Sequence, residues 1–131
     1  MNQTEKSKNQ TFDCKNKPTG INRIYLASLN SMRAFNWLYK NESAFKQELL
    51  LLLIAIPATF FLHVSNKEQA ILILAVLFIM FTEIINTAIE AVVDRVGLEI
   101  HPLSGLAKDL GSLAVGFSIV IAFGIWAAIL I

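Results

Sequence analysis

The sequence predicts an all-α membrane protein in which one amphipathic helix precedes three bilayer-crossing helices. Three observations carry this expectation. The 131-residue chain is 55% hydrophobic and 16% charged, which is very apolar for so short a soluble domain. Long apolar runs recur beyond residue 43, separated by short polar connections. Polar side chains inside the middle run return at helical spacing.

Residues 1–20 are rich in Asn, Lys, Gln and Thr, with Phe12 almost the only apolar anchor. They read as a disordered tail. The single cysteine, Cys14, falls in this tail. No internal disulfide and no thiolate metal cluster can therefore form. The first long apolar run begins only at Leu49, and no small-residue cleavage pattern follows it. No secretory signal peptide is expected, and the spans remain in the mature protein. The net charge of +1 and the lack of a basic, aromatic-laced stripe argue against a nucleic-acid partner. There is no internal repeat and no heptad run.

The domain proper is expected over 21–131. In 21–40, Ile21, Ile24, Tyr25, Ser28, Met32, Phe35 and Tyr39 recur at steps of three or four residues. Asn22, Arg23, Asn30, Arg33 and Lys40 lie mostly opposite, with Leu26 and Trp37 interrupting the polar side. This pattern suits a helix lying at the membrane surface. The first span is expected over about 43–64, with Asn41 as cap, Glu42 in the first turn and a mild kink at Pro57. Ser65–Glu68 reads as a polar turn. The second span is expected over about 68–95 and the third over about 104–131, joined by a loop at 96–103 with Gly and Pro stops. His63 and Trp126 suit the far interface.

Eight of the eleven Lys and Arg lie at or before the start of the first span, and Arg95 and Lys108 flank the second loop. Only Lys67 sits on the other side. The positive-inside rule then places the N-terminus and the 96–103 loop in the cytoplasm and the C-terminus outside.

The middle span carries the chemistry. In Glu83-Ile84-Ile85-Asn86-Thr87-Ala88-Ile89-Glu90-Ala91-Val92-Val93-Asp94, the residues Glu83, Asn86, Thr87, Glu90 and Asp94 fall on one stripe at 100° per residue. A carboxylate at the membrane centre costs roughly 2.5–3.5 kcal/mol by insertion scales, so a row of them implies a site rather than a lipid-facing surface. Glu83 and Glu90 are about 10.5 Å apart along the axis, too far for one ion to bridge easily. Glu90 and Asp94 lie nearer the cytoplasm, and Glu83 lies deeper. Mg²⁺ takes oxygen ligands, commonly one or two carboxylates plus phosphate oxygens. Glu42 is the natural second carboxylate for Glu90, although a surface pair with Lys46 would also explain it. Lys108 can clamp phosphates or merely snorkel to the headgroups, and Asp109 is its neighbour, with Ser112 one turn further in. Glu83 is placed to take a proton from a lipid hydroxyl, with Asn86 holding it. His101 beside Glu99 can touch a nucleotide, although a lone loop histidine is commonly just solvated. The inventory fits phosphoryl transfer, but no P-loop and no glycine-rich lid is present.

At these residues the chain resembles the bacterial integral-membrane diacylglycerol kinase family. EIINTAIEAVVD matches its signature, E-x-aliphatic-N-[ST]-A-aliphatic-E-x-x-V-D. The likeness runs on through Arg95-Val96-Gly97 and His101-Pro102-Leu103-Ser104 to Ala107-Lys108-Asp109. The block Asn41–Glu48 is similar to the family's first span, and the resemblance covers about residues 20–131. It implies a surface helix plus three membrane helices assembled as a homotrimer in the bacterial inner membrane. It also implies transfer of the ATP γ-phosphate to diacylglycerol, giving phosphatidic acid. In this likeness Glu83 matches the general base, and Glu42 and Glu90 match the Mg²⁺–nucleotide carboxylates. Lys108 and Asp109 match nucleotide-phosphate contacts, and Glu99 and His101 match the loop at the nucleotide. Arg23, Ser31, Glu48 and Ser112 match positions near nucleotide or lipid.

A trimer also has a physical motive, because three helices per chain cannot enclose a polar stripe. Gly111, Ala114, Gly116 and Ser118 would let helices approach closely. Undecaprenol kinase, which shares the signature, is the alternative within this chemistry. A non-enzymatic channel or assembly subunit is the alternative outside it. The polar tail is longer than the family pattern, and Cys14 has no assignable role.

Overall fold

Residues 19–97 and 99–131 are described by the structure, a computed structural model of the chain. Apart from Thr19 and Gly20, the tail expected over 1–20, with Phe12 and Cys14, lies outside the described residues. The described residues form four helices, α1 (Gly20–Asn41), α2 (Ser43–Phe61), α3 (Asn66–Val96) and α4 (Pro102–Leu130).

The contacts divide the chain between Trp37 and Leu38. Up to Trp37, α1 stands as a unit by itself. Gly20 starts it at φ +64°, a left-handed conformation that favours glycine. Ile21, Ile24, Tyr25 and Met32 are exposed along one side of it.

Residues 38–131 form a helical bundle around α3. Helix α3 packs against both α2 and α4, most extensively against α4. The share of each helix's apolar stretch buried inside the chain is 44% for α3, 17% for α2 and 11% for α4. That gradient makes α3 the central helix. One core joins Leu38, Phe45 and Met80, flanked by Leu49 and Leu52. A second joins Ala75, Ile79 and Ala122, flanked by Ile125 and Trp126. Trp126 does more than sit at an interface, since its Nε1 donates to the Leu72 carbonyl at 3.2 Å. A hydroxyl pair ties the same seam, with Thr82 Oγ1 donating to Ser118 Oγ at 2.8 Å.

Helices α2, α3 and α4 are long and apolar enough to cross a membrane. At about 1.5 Å per residue, α2 is about 28 Å long, whereas α3 and α4 reach about 46 and 44 Å. Upright in a hydrocarbon core of about 30 Å, each of the last two would extend roughly 15 Å into headgroups or water.

Four boundaries differ from expectation, one of them the start of α4 at Pro102 rather than at about 104. Asn41 ends α1, and Glu42 takes the N-cap position of α2 without a side-chain cap bond. Helix α2 stops at Phe61, three residues before the expected end at 64, and 62–65 make the turn. The reason is a capping box at Ser65. Its Oγ accepts from Glu68 N at 3.3 Å, while Glu68 Oε2 accepts from Ser65 N at 2.7 Å. Asn66–Glu68 are therefore the first turn of α3 rather than a polar turn. At the other end of the bundle, His101 is the N-cap of α4, its Nδ1 accepting from Leu103 N at 3.2 Å.

The small-residue stripe of α4 is also redrawn. Gly111, Ser118 and Ala122 are buried, whereas Ala114 and Gly116 are exposed. Steps of seven and four residues keep one helix face and the step of five to Gly116 does not, whereas Ala114, three residues from Gly111, stays near that face but exposed.

Candidate functional site

The inner face of α3 changes character along its length. Leu72, Ala75, Val76, Ile79 and Met80 are buried first, then Glu83, Asn86 and Thr87. These positions make one continuous stripe at steps of three and four. The packing that buries aliphatic carbon in the first half of α3 thus buries a carboxylate, a carboxamide and a hydroxyl in the second. Glu90 is half-buried a turn beyond Asn86, and Asp94 is exposed at the end of the stripe.

The Asn86 Nδ2 donates to Glu90 Oε1 at 3.1 Å, so Asn86 holds the next carboxylate along the stripe rather than Glu83 as expected. Its Oδ1 is buried with no hydrogen-bond partner, and so is Glu48 Oε2. A buried acceptor left alone costs about 1–3 kcal/mol, so a further donor at either atom would be stabilising.

Acidic charge collects around Glu83. Glu42 and Glu90 interact electrostatically with it, and Glu48 does so from α2. None of these four carboxylates forms an ion pair with a lysine or arginine among the described residues; the pair seen there joins Lys108 Nζ to Asp94 Oδ1 at 2.6 Å. Lys108 also feels the charge of Glu90. Among the described residues, no three His, Cys, Asp or Glu side chains are grouped to hold a metal ion. Mg²⁺ commonly takes only one or two protein carboxylates beside phosphate oxygens, so it does not require a complete protein cage.

The residues singled out from the sequence are thus spread unevenly. Glu42, Glu48, Glu83, Asn86, Glu90 and Lys108 share one region of the bundle through these interactions. Asp109 and Ser112 are exposed on α4, and Glu99 and His101 are exposed in the connection before it. None of these four makes a hydrogen bond or ion pair with the stripe among the described residues. The His101 ring spends Nδ1 on capping α4. Arg23 and Ser31 belong to the separate α1 unit, where they line one groove with Ala27 and Ser28.

Two participants were not legible in the sequence. The sequence places Asp94 on the stripe but does not mark it as the partner of Lys108. Gly111 was seen as a small residue but not as the surface against which Asn86 rests. Both pairings cross from α3 to α4, and no local pattern encodes such contacts.

Comparison with known proteins agrees with the geometry. The family model described as prokaryotic diacylglycerol kinase matches residues 29–130. The chain is 43% identical over 113 residues to the diacylglycerol kinase of Pseudomonas aeruginosa, covering 86% of this chain and 92% of that protein. It is 41% identical over 114 residues to the diacylglycerol kinase of Haemophilus influenzae, covering 87% and 97%. It is 43% identical over 115 residues to the diacylglycerol kinase of Escherichia coli (strain K12), covering 88% and 94%. With matches of this extent, the chain belongs to the prokaryotic diacylglycerol kinase family.

Proposed function

We propose that this chain transfers the γ-phosphate of ATP to the free hydroxyl of diacylglycerol, giving phosphatidic acid and ADP. The observation that carries this reading is the half-polar inner stripe of α3, with Glu83 and Asn86 buried on it and Glu90 following. It supports a base within membrane depth and a cation site nearer the end of the bundle.

Glu83 takes the proton of the acceptor hydroxyl as its oxygen attacks the γ-phosphorus in line. The bond from that phosphorus to the bridging oxygen breaks, and ADP departs. Glu42 and Glu90 are the carboxylates that hold Mg²⁺, which when bound neutralises charge on the phosphate oxygens. Asn86 steadies Glu90 through its 3.1 Å hydrogen bond. Lys108 contributes a point charge to the phosphates, with Asp94 steering it and Asp109 alongside. Glu99 and His101 meet the nucleotide from the α3–α4 connection. Arg23, Ser31, Glu48 and Ser112 serve nucleotide or lipid binding.

In the same reading the protein is a homotrimer of the bacterial inner membrane. The exposed apolar sides of α2 and α4 meet lipid or a second copy, and symmetric association closes the open side of the stripe. The N-terminus and the α3–α4 connection face the cytoplasm, where ATP is found, and the C-terminus faces outward.

The test is a reconstituted assay. The full chain in lipid vesicles receives γ-labelled ATP, Mg²⁺ and either diacylglycerol or undecaprenol. Labelled phosphatidic acid, formed without a phosphoprotein that chases into lipid, is the expected result. Preference for undecaprenol overturns the acceptor, and ATP turnover without any lipid product overturns the kinase reading.

A further inference from the structure

Gly111 lies where α4 comes against the acidic stripe of α3. A Cβ at this position would collide with Asn86 Oδ1 and stand 3.3 Å from its Cγ and 3.7 Å from its Cα. At Gly105, Gly116 and Gly124, also on α4, an added Cβ would meet nothing within 4 Å. The close approach is therefore confined to one position. Backbone conformation does not demand glycine there, since Gly111 sits inside a regular helix, where alanine is the more stable residue.

The orientation of the Asn86 carboxamide follows from its partner. Nδ2, the donor end of the amide, faces the carboxylate oxygen Glu90 Oε1, 3.1 Å away. Oδ1 then faces Gly111, and it is the buried atom with no hydrogen-bond partner. One end of the amide is held by Glu90. Only the bare Cα of α4 makes room for the other.

We propose that Gly111 is a positioning residue that acts through Asn86. By lacking a side chain, it leaves the carboxamide in the orientation that aims Glu90. The proposal rests on the reading that Glu90 helps hold the Mg²⁺–nucleotide. A methyl group at 111 collides with the far end of a rotatable side chain, not with backbone. The amide swings aside, Nδ2 leaves Glu90, and the fold persists.

The experiment compares the full-length parent, Gly111→Ala, Asn86→Ala and the double variant in vesicles. Gly111→Ala should keep parental helix content and unfolding midpoint. Its kcat/KM for Mg-ATP should fall about tenfold or more, the scale of one lost hydrogen bond to a charged group. KM for diacylglycerol should stay within about twofold, because no lipid contact changes. Mg²⁺-dependent binding of a fluorescent ATP analogue, which needs no turnover, should weaken in Gly111→Ala. In the Asn86→Ala background the same substitution should change that binding less than about twofold, since no carboxamide remains to be displaced. Parental Mg-ATP affinity in Gly111→Ala, or equal loss in both backgrounds, overturns the proposal. If Gly111→Ala does not fold, recovery of the fold in the double variant supports the steric account, and no recovery overturns it. The Asn86 side-chain amide resonance keeps this test separate from the kinase reading. If the parent phosphorylates no lipid, the function fails, while a shift of that resonance on Gly111→Ala still judges the contact.

Discussion

Replacing Glu83 by glutamine should drive activity and stability in opposite directions. Glu83 is 8% exposed and carries its charge among Glu42, Glu48 and Glu90. Seven residues along α3 place Glu83 and Glu90 about 10.5 Å apart on the axis. At an effective dielectric constant of about 20, two like charges at that separation repel by about 1.5 kcal/mol. Glutamine keeps the shape and removes the repulsion. Resistance to unfolding should therefore hold or rise by about 1–2 kcal/mol, with the new amide's need for partners offsetting part of the gain. A base that takes the hydroxyl proton is worth about 10²–10⁴ in rate, so kcat should drop by that factor. KM for Mg-ATP should move little, because Glu42 and Glu90 remain. The assay pairs lipid phosphorylation in vesicles with unfolding in a denaturing detergent titration. A variant within tenfold of parental kcat would falsify the assignment of the base. Loss of activity together with a clear fall in stability would show that Glu83 supports the fold instead.

Three further outcomes follow from the same seams. Asp94→Asn removes the partner of Lys108 at 2.6 Å; both side chains are substantially exposed, so the unfolding midpoint should stay in place while KM for Mg-ATP rises, and unchanged nucleotide kinetics would detach the pair from the site. Thr82→Val with Ser118→Ala should show a coupling of about 0.6 kcal/mol and no more than about 1.7 in a double-mutant cycle, the range of interhelical hydrogen bonds in membranes. Thr82 has a fallback acceptor on its own helix, Ile79 O at 2.8 Å, and Ser118, the acceptor of the pair, keeps donating to Val115 O at 2.7 Å, so larger coupling would mean that these bonds do not compensate. Trp126→Phe deletes the bond to the Leu72 carbonyl, 3.2 Å long, and should cost about 1 kcal/mol of stability without changing kcat; a change in kcat would tie the far end of α3 to the chemistry.

The four helices were legible because their signals are local: an apolar period of three and four residues in α1, and long apolar runs in α2, α3 and α4. The stripe from Glu83 to Asp94 was visible for the same reason, and with it the family and a multi-pass membrane topology. The start of α3 was also written in the sequence, as Ser65 followed three residues later by Glu68. It read as a turn only because polar residues between spans suggest one. The end of α2 moved with it, since a capping box at Ser65 leaves 62–65 to reverse the chain.

What the sequence by itself determined is which side chains share a face of α3, and so that three carboxylates and an amide line up along one helix. Tertiary structure decided how deep each lies and what meets it from α4. Lys108 reaches Asp94, Gly111 makes room for Asn86, and Gly116 turns away from the seam. The physical reason is rotational. A helix fixes the angles among its own residues through its hydrogen bonds. Its rotation against a neighbour is set by the packing of both surfaces, and that information is spread over residues far apart in the chain.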